Sequence, residues 1–156
     1  MAEPLLHYLP FLIEPLSEDD RKSWLSFEER QHFVSIGNFL HPPNWDAVQH
    51  VKTNIWPLIR TQLPDAEMHI YGAYCSDKHR QLHSEKDGFI IKGRAEDATD
   101  VIGAARVLLA PLRFGAGLKG KLVEALQCGT PSVTTSIGSE AMHGNLPWSG
   151  TVSDSQ

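Results

Sequence analysis

Short apolar runs alternate with helical patterns from residue 33 onward, and this alternation constrains the fold more than any other feature of the sequence. We interpret the runs at 33–38, 67–72, 89–93, 106–111 and 132–135 as strands. Segments 45–63, 76–84, 98–105 and 119–128 have helical spacing, with a kink expected at Pro57 and a helix end at Gly129. Strands separated by helices form right-handed βαβ units. The sequence therefore predicts a single α/β domain: a Rossmann-like, doubly wound parallel sheet of about five strands in the order 3-2-1-4-5.

The chain of 156 residues divides into three parts. Residues 1–32 carry Pro4, Pro10 and Pro15, and we predict that they form a linker or an N-terminal arm. In this part Ser17 precedes three acidic residues, a pattern typical of a helix N-cap, which predicts a short polar helix through Arg30. Residues 33–144 are predicted to form the Rossmann-like domain, and residues 145–156 an irregular tail without a further strand.

The overall composition excludes several classes of protein. A net charge of −5 argues against broad nucleic-acid binding, which requires a basic face. Cys75 and Cys128 are the only cysteines, and they indicate free thiols in a reducing compartment. No apolar run reaches the length of a membrane-spanning helix, and no basic region precedes the short apolar patch at the start, as a signal peptide requires. We therefore expect a cytoplasmic location and leave peripheral association with a membrane open.

A basic, glycine-rich segment follows the fourth predicted strand. Gly115, Gly117 and Gly120 allow the backbone to approach a ligand closely. The helix that begins near Lys119 directs free N–H groups and partial positive charge toward an anion. Lys119 and Lys121 add full charges. The segment is therefore predicted to bind a phosphorylated ligand.

The predicted strand order leads to the same conclusion independently. In an open parallel sheet the ligand binds beyond the carboxyl ends of the strands, where the strand order reverses. With the order 3-2-1-4-5, the loops at 38–44 and 112–119 flank that crevice. The glycine-rich segment therefore lies where this fold is expected to bind its ligand.

Three kinds of phosphate site compete for this segment. A nucleoside-triphosphate P-loop fits the glycines and the lysine from Gly115 to Lys121, but Leu122 stands where a Ser or Thr would hold magnesium. A dinucleotide site requires a glycine fingerprint after the first strand and an acid at the end of the second, and the sequence has neither. A nucleotide-sugar site requires a cationic cradle for a diphosphate, and Glu124 adds an acceptor for ribose hydroxyls. The third interpretation agrees best with these residues.

Several motifs, in the expected order, resemble those of a known family. They are Phe33-Val34-Ser35-Ile36-Gly37-Asn38, Pro43-Asn44, Ile70-Tyr71-Gly72, Gly93, Leu109-Ala110-Pro111-Leu112, the run from Gly117 to Leu126, and Gly129-Thr130-Pro131. They resemble the C-terminal domain of group 1 glycosyltransferases, and the resemblance covers roughly residues 32–144. Those are retaining, family 4-like enzymes built from two Rossmann domains, the GT-B fold. The resemblance implies that this chain is half of a GT-B architecture and the half that binds the donor.

The resemblance also implies roles for individual residues. Glu124 would bind the ribose, the glycine-rich loop the diphosphate and the donor sugar, and the turn at 93–95 would lie against the base. The predicted donor-binding residues are Gly37, Asn38, Arg94, Arg113, Gly115, Gly117, Leu118, Lys119, Lys121, Glu124 and Glu140. The expected donor is a UDP- or GDP-sugar, transferred with retention of anomeric configuration and without a cofactor or a bound metal. The acceptor, whether glycan, lipid or protein, is not identified, and no catalytic residue is assigned within this chain.

The sequence departs from the family pattern in three respects. The family often carries a second glutamate eight positions before Glu124, where this chain has Ala116. Asn38 stands where an arginine is common, and we expect Lys119 and Lys121 to supply the compensating charge. The N-terminal domain that binds the acceptor does not fit within residues 1–32, so we expect no sugar transfer by this chain alone. The alternative is a catalytically dead nucleotide-binding or interaction module with the same fold.

Metal binding is not indicated by the sequence. The eight histidines are scattered, and no cluster of histidine, cysteine and aspartate has the spacing typical of metal ligands.

Overall fold

The computed structural model describes residues 12–143, 147–148 and 150–153. Its elements are α1 (Glu18–Lys22), β1 (Gln31–Ile36), α2 (Pro42–His50), a π-helical turn (Val51–Ile55), α3 (Trp56–Gln62), β2 (Met68–Tyr71), α4 (Asp77–Arg80), β3 (Phe89–Gly93), α5 (Ala98–Gly103), β4 (Ala105–Ala110), α6 (Gly120–Gln127), β5 (Ser132–Thr134), α7 (Ser136–Ser139) and β6 (Thr151–Val152). The strands form one sheet in the order β3-β2-β1-β4-β5-β6. Each pair of neighbouring strands is parallel. The predicted α/β class and the order 3-2-1-4-5 are confirmed.

The sixth strand is a correction to the predicted sheet. Thr151 and Val152 pair with Val133 and Thr134 of β5, within the segment that we expected to be an irregular tail. The amide of Ser153 extends this pairing by donating to the carbonyl of Thr134 at 2.8 Å. A strand of two residues is too short to show an alternating pattern, so sequence reasoning missed it. Residues 145–146, 149 and 154–156 of the predicted tail, and Pro4 and Pro10 of the arm, lie outside the described residues.

Two apolar clusters, one on each face of the sheet, form the core. Side chains alternate between the faces along each strand, so that neighbouring strand residues serve different clusters. On one face α2, the π-helical turn and α3 cover a cluster that includes Trp56, Met68, Ile70 and Phe89. On the other face α5 and α6 cover a cluster that includes Val34, Ile102, Leu108 and Leu122. The sheet is thus covered on both faces, as a doubly wound fold requires.

The first long helix is interrupted as the sequence predicts, but not at the proline itself. The amide of Trp56 donates to the carbonyl of Val51, five residues back, which widens the helix into a π-helical turn just before Pro57. Pro57 has no N–H to donate, so the wide turn accommodates it at the start of α3. The helix also begins earlier than predicted, because Pro42 and Pro43 occupy the first turn, where N–H groups have no partner within the helix.

The C-terminal end of α6 closes with the predicted glycine. Gly129 has a φ of 62°, which favours glycine because it lacks a Cβ. Its amide donates to Leu126 at 3.2 Å, and the amide of Thr130 donates to Ala125 at 2.8 Å. This pair of bonds is a Schellman motif, which satisfies the last carbonyls of the helix.

The arm before β1 is fastened to this same helix end. The indole of Trp24 donates to the carbonyl of Gln127 at 3.0 Å. The guanidinium of Arg30 is only 3% exposed, donates to the carbonyl of Cys128 at 2.9 Å and also binds the hydroxyl of Thr130. The predicted N-cap at Ser17 is confirmed by its capping box, but the helix ends at Lys22 and not at Arg30. The arm therefore packs against the domain through Trp24 and Arg30.

Two short helices differ from the prediction, whereas the free thiols are confirmed. The helix expected at 76–84 is reduced to α4, and the segment after β5 contains a short helix, α7, that was not predicted. Cys75 and Cys128 are free thiols, as expected. Among the described residues, no helix combines the length and the apolar character needed to cross a bilayer.

Candidate functional site

The candidate site lies at the carboxyl ends of β1 and β4, the two central strands. They are parallel neighbours, with Phe33 opposite Val107. From β1 the sheet continues to β2 on one side, and from β4 it continues to β5 on the other, so the strand order reverses between them. The loops that follow these two strands therefore flank the crevice where a ligand binds in such sheets. This is the position that the sequence predicted for residues 38–44 and 112–119.

A chain of polar contacts joins α6 to the segment after β1 across the crevice. The Nζ of Lys121 donates to Oδ1 of Asn44 at 2.9 Å. The Nδ2 of Asn44 in turn donates to the carbonyl of Asn38 at 3.2 Å. A Cβ at Gly37 would lie 2.6 Å from Nδ2 of Asn44, so the close packing of this amide requires glycine. The structure thus brings together three predicted residues, Gly37, Asn38 and Lys121, through Asn44.

Asn44 was not among the predicted site residues. The Pro43-Asn44 pair was part of the resemblance, but its role depends on a contact between residues 77 positions apart in the chain. A polar residue in the first turn of a helix after β1 is the signal that could have identified it.

Lys121 is a half-buried cation. Burial lowers the pKa of this lysine from the ordinary value of 10.5 to about 8, and the nearby carboxylate of Glu124 opposes part of that shift. Glu124 lies one turn further along α6 and is also half-buried, and no hydrogen bond or ion pair within the described residues engages its carboxylate. An anionic ligand would offset the cost of burying the ammonium group, because an opposite charge favours its protonated form.

The glycine-rich loop leaves open space in front of α6. Gly115 and Gly117 have φ values of 126° and 76°, which side chains rarely adopt. At Gly117 and Gly120, a Cβ would meet nothing within 4 Å among the neighbours in the described structure. The hydrogen bonds of the first helical turn begin with Leu122, whose amide donates to Lys119 at 2.9 Å. The amides of Gly120 and Lys121 precede it and have no carbonyl partner within the helix, an arrangement that suits an anion.

Arg113 is engaged by a carboxylate and not directed into the loop. Its Nε donates to Oδ2 of Asp46 at 2.9 Å, and a second nitrogen donates to the other carboxylate oxygen. This bidentate pair raises the pKa of Arg113 and ties the segment after β4 to α2. The sequence did not indicate Asp46 as a partner, because it belongs to the helix after β1.

Lys119 and Leu118 occupy the end of the loop. The ammonium group of Lys119 folds back onto the carbonyl of Gly117, and its amide donates to the sulfur of Met142 at 3.3 Å. The side chain of Leu118 is half-buried. The charge of Lys119 therefore lies beside the loop.

Arg94 and Glu140 lie at opposite margins of the site. Arg94 is exposed and follows β3, which is three strands away from β4 and therefore about 14 Å across the sheet. Glu140 is exposed and follows α7, next to the carboxyl end of β5. Neither side chain makes a hydrogen bond to the glycine-rich loop within the described residues. Their assignment to the site stays a prediction.

An apolar groove lies on the far side of α6. It has a volume of about 490 Å³ and runs between the arm and the helix, lined among others by Leu16, Val123, Leu126 and Met142. Because successive helical residues are 100° apart, Val123 and Leu126 lie on the side of α6 opposite Lys121. The groove is therefore separate from the polar crevice between β1 and β4.

Comparison with known proteins identifies a family. A family model described as glycosyl transferases, group 1, matches residues 30–152. The match extends beyond the predicted domain, 33–144, to include Arg30 and the sixth strand. A search of curated protein sequences found no match.

Solved structures share the fold at low sequence identity. A mutant of S. aureus TarM in complex with fondaparinux, alpha-GlcNAc-glycerol and UDP has a TM-score of 0.59 and 15% identity, over 78% of this chain and 25% of that one. The Anabaena HepE complex with UDP and glucose has a TM-score of 0.54 and 14% identity, over 88% of this chain and 39% of that one. The GtfA/B complex has a TM-score of 0.53 and 20% identity, over 83% of this chain and 26% of that one. This chain thus spans between a quarter and two-fifths of the length of these three proteins.

Proposed function

This chain belongs to the group 1 glycosyl transferases, and we propose that it is the domain of such an enzyme that binds the nucleoside-diphosphate sugar donor. The observation that carries the proposal is the junction of the glycine-rich loop with α6. There, open backbone, a helix N-terminus and the half-buried Lys121 meet at the point where the strand order reverses. UDP is present in the TarM and HepE structures, which supports a UDP-sugar as the first donor to test.

The diphosphate would lie against the N-terminus of α6. Its oxygens would accept hydrogen bonds from the amides of the first turn, because those groups have no partner within the helix. Lys121, held by Asn44 at 2.9 Å, would supply a positioned positive charge. Lys119 would rotate from the carbonyl of Gly117 toward the phosphates. The bare backbone at Gly117 and Gly120 would allow the ligand to approach without meeting a side chain.

The ribose and the base would extend from this point along the edge of the crevice. Glu124 is half-buried on the same face of α6 as Lys121. The oxygens of its carboxylate would accept hydrogen bonds from the ribose hydroxyls. The turn after β3, with Arg94, would lie against the base. Glu140, after α7, would face the donor sugar.

We propose that transfer proceeds with retention and without a required metal. The negative charge that develops on the leaving diphosphate would be stabilised by the helix N-terminus and the two lysines. Ala116 removes one usual contact to the donor sugar, so binding would depend more heavily on the nucleoside diphosphate. The acceptor and the groups that react with it would come from a second domain, and sugar transfer would require that domain.

The test is a calorimetric titration of the chain with UDP and with GDP. We expect one site, and binding weakened about tenfold or more by Glu124→Gln, because the ribose loses a charged acceptor. Glu28→Gln, which removes an exposed carboxylate on the arm, is the matched control and should leave the affinity unchanged. If neither nucleotide binds, the donor role is wrong and the chain is better explained as an interaction module with this fold.

A further inference from the structure

A second cluster of polar side chains lies at the opposite end of the sheet, near the amino ends of β1 and β2. Oε2 of Glu67 is 2.8 Å from Nε2 of His69 and 3.4 Å from Nδ1 of His32. The three ligand atoms all lie within 4.8 Å of one another. Within the described residues, this is the one group of three or more histidine, cysteine or acidic side chains that converges in this way.

The tertiary structure assembles this cluster from neighbouring strands. Glu67 and His69 are two positions apart on an extended chain, so their side chains point to the same face. His32 comes from β1, where the pairing of Phe33 with Met68 sets it beside Glu67. Since His32 is 35 positions away from Glu67 in the chain, no metal-ligand spacing is recognisable in the sequence.

His32 is held in an unusual conformation that keeps the cluster together. Its φ of 60° is in the left-handed region, which residues with a Cβ rarely adopt. Its ring stacks on that of His69, with centroids 3.9 Å apart and planes 23° from parallel. His69 is 9% exposed, whereas His32 and Glu67 are half-exposed. The site is thus anchored on its inner side and accessible from solvent on its outer side.

The distances from the Glu67 carboxylate to the two imidazole rings are compatible with one metal ion. Bonds of about 2.0–2.1 Å from a tetrahedral zinc ion place its ligand atoms about 3.3 Å apart. The two distances from Glu67 bracket that value. Two imidazoles and one carboxylate are a ligand set that zinc takes in proteins, with the fourth position left to water or to another molecule.

We propose that His32, Glu67 and His69 bind one Zn²⁺ ion. The ion would link β1 to β2, and it would stabilise the folded chain because the three ligands converge only there. His32 and Gly37 are five residues apart on an extended strand, so the zinc site would lie about 16 Å from the donor crevice. Its role would therefore be structural, or it would attach a further ligand from another molecule, and it would not take part in sugar transfer.

A neighbouring cation, Lys92, would oppose zinc binding. Lys92 on β3 acts electrostatically on both Glu67 and His69. A positive charge near the site opposes the binding of a divalent cation, so Lys92→Gln should tighten zinc binding.

The experiment is a titration of the chelator-treated 156-residue chain with ZnCl₂, monitored by calorimetry and by thermal unfolding. We expect one ion per chain, a higher melting temperature with zinc, and no such rise with MgCl₂. Titration with CoCl₂ should produce the visible absorption bands of a tetrahedral or five-coordinate site with nitrogen ligands. His69→Gln and Glu67→Gln should each weaken zinc binding about tenfold or more.

Matched controls separate this site from weak surface binding and from misfolding. His50→Gln removes a histidine from α2, away from the cluster, and should leave zinc affinity unchanged. Should His69→Gln fail to fold by circular dichroism, His32→Gln replaces a half-exposed ring and tests the same site. The affinity for UDP should be equal with and without zinc, so that this proposal and the donor role fail independently. Binding of other than one ion, or affinity that survives the loss of these ligands, would overturn the proposal.

Discussion

Replacing Lys121 with methionine should make the folded chain more stable at neutral pH while it weakens nucleotide binding. The pKa of Lys121 falls from 10.5 to about 8 on folding, a difference equivalent to about 3 kcal/mol against the folded state. Methionine has a similar length without the charge, so Lys121→Met removes that cost. The variant also loses the hydrogen bond from Nζ to Asn44, which contributes about 1 kcal/mol. We therefore expect a net gain of about 2 kcal/mol at pH 7.5.

The pH dependence of this gain in unfolding free energy identifies its cause. The pKa of Lys121 is lower in the folded chain than in the unfolded chain. Below about pH 8 the lysine is therefore protonated in the folded and in the unfolded chain, and the full destabilisation is present. Between about pH 8 and pH 10.5 the unfolded chain holds a proton that the folded chain has released, so the stability of the wild-type chain rises with pH. By pH 10.5 the advantage of Lys121→Met should have disappeared, which leaves a loss of about 1 kcal/mol from the missing hydrogen bond.

Urea unfolding followed by tryptophan fluorescence, at pH 7.5, 9 and 10.5, measures these differences. Other groups titrate in the same range, so the quantity of interest is the difference in unfolding free energy between variant and wild type. Lys119→Met removes the same charge from the same loop and is the matched control. If the difference for Lys121→Met does not change with pH, the burial of this lysine does not destabilise the fold. At pH 7.5 the same variant should bind UDP about tenfold more weakly by calorimetry, because a charged hydrogen bond is lost.

Three further substitutions test the packing around the site and the arm. Gly37→Ala places a Cβ 2.6 Å from Nδ2 of Asn44, so it should displace that amide and weaken UDP binding in a titration; unchanged affinity would contradict the role of the glycine. Gly129→Ala combines a φ of 62° with a clash against the ring of Trp24, and should lower the unfolding free energy by about 2 kcal/mol or more in urea. Arg30→Met leaves buried carbonyl and hydroxyl groups without their donor, and should cost about 3 kcal/mol in the same assay; a loss below about 1 kcal/mol would show that the arm is only loosely attached.

The sheet and the approximate location of the site could be predicted because the relevant signals are local. Apolar runs and helical spacing reflect which face of each element is buried. Gly129 indicates a helix end through its own backbone freedom, and the structure has the Schellman motif there. The strand order is the common one for a doubly wound sheet, and it places the crevice between β1 and β4. The glycine-rich loop could be assigned to that crevice before any contact was known.

The partners of the site's charged groups could not be predicted, because those contacts join residues far apart in the chain. The sequence shows that Arg113 and Lys121 are basic, but not that Asp46 engages one and Asn44 the other. Such pairings depend on the distance and angle between helices and strands on opposite sides of the crevice. Many arrangements of these elements are compatible with the same pattern of apolar and polar residues along the chain.

The composition and periodicity of this sequence by themselves determined the doubly wound fold and the segment that flanks the crevice between β1 and β4. The tertiary structure alone decided which lysine is buried, how the arm closes on α6, and that His32 meets Glu67 and His69 across two strands. The apolar pattern of each segment predicts which of its faces is buried. The energy of a polar or charged group depends instead on the neighbours that it has in the folded chain, and these come from distant segments.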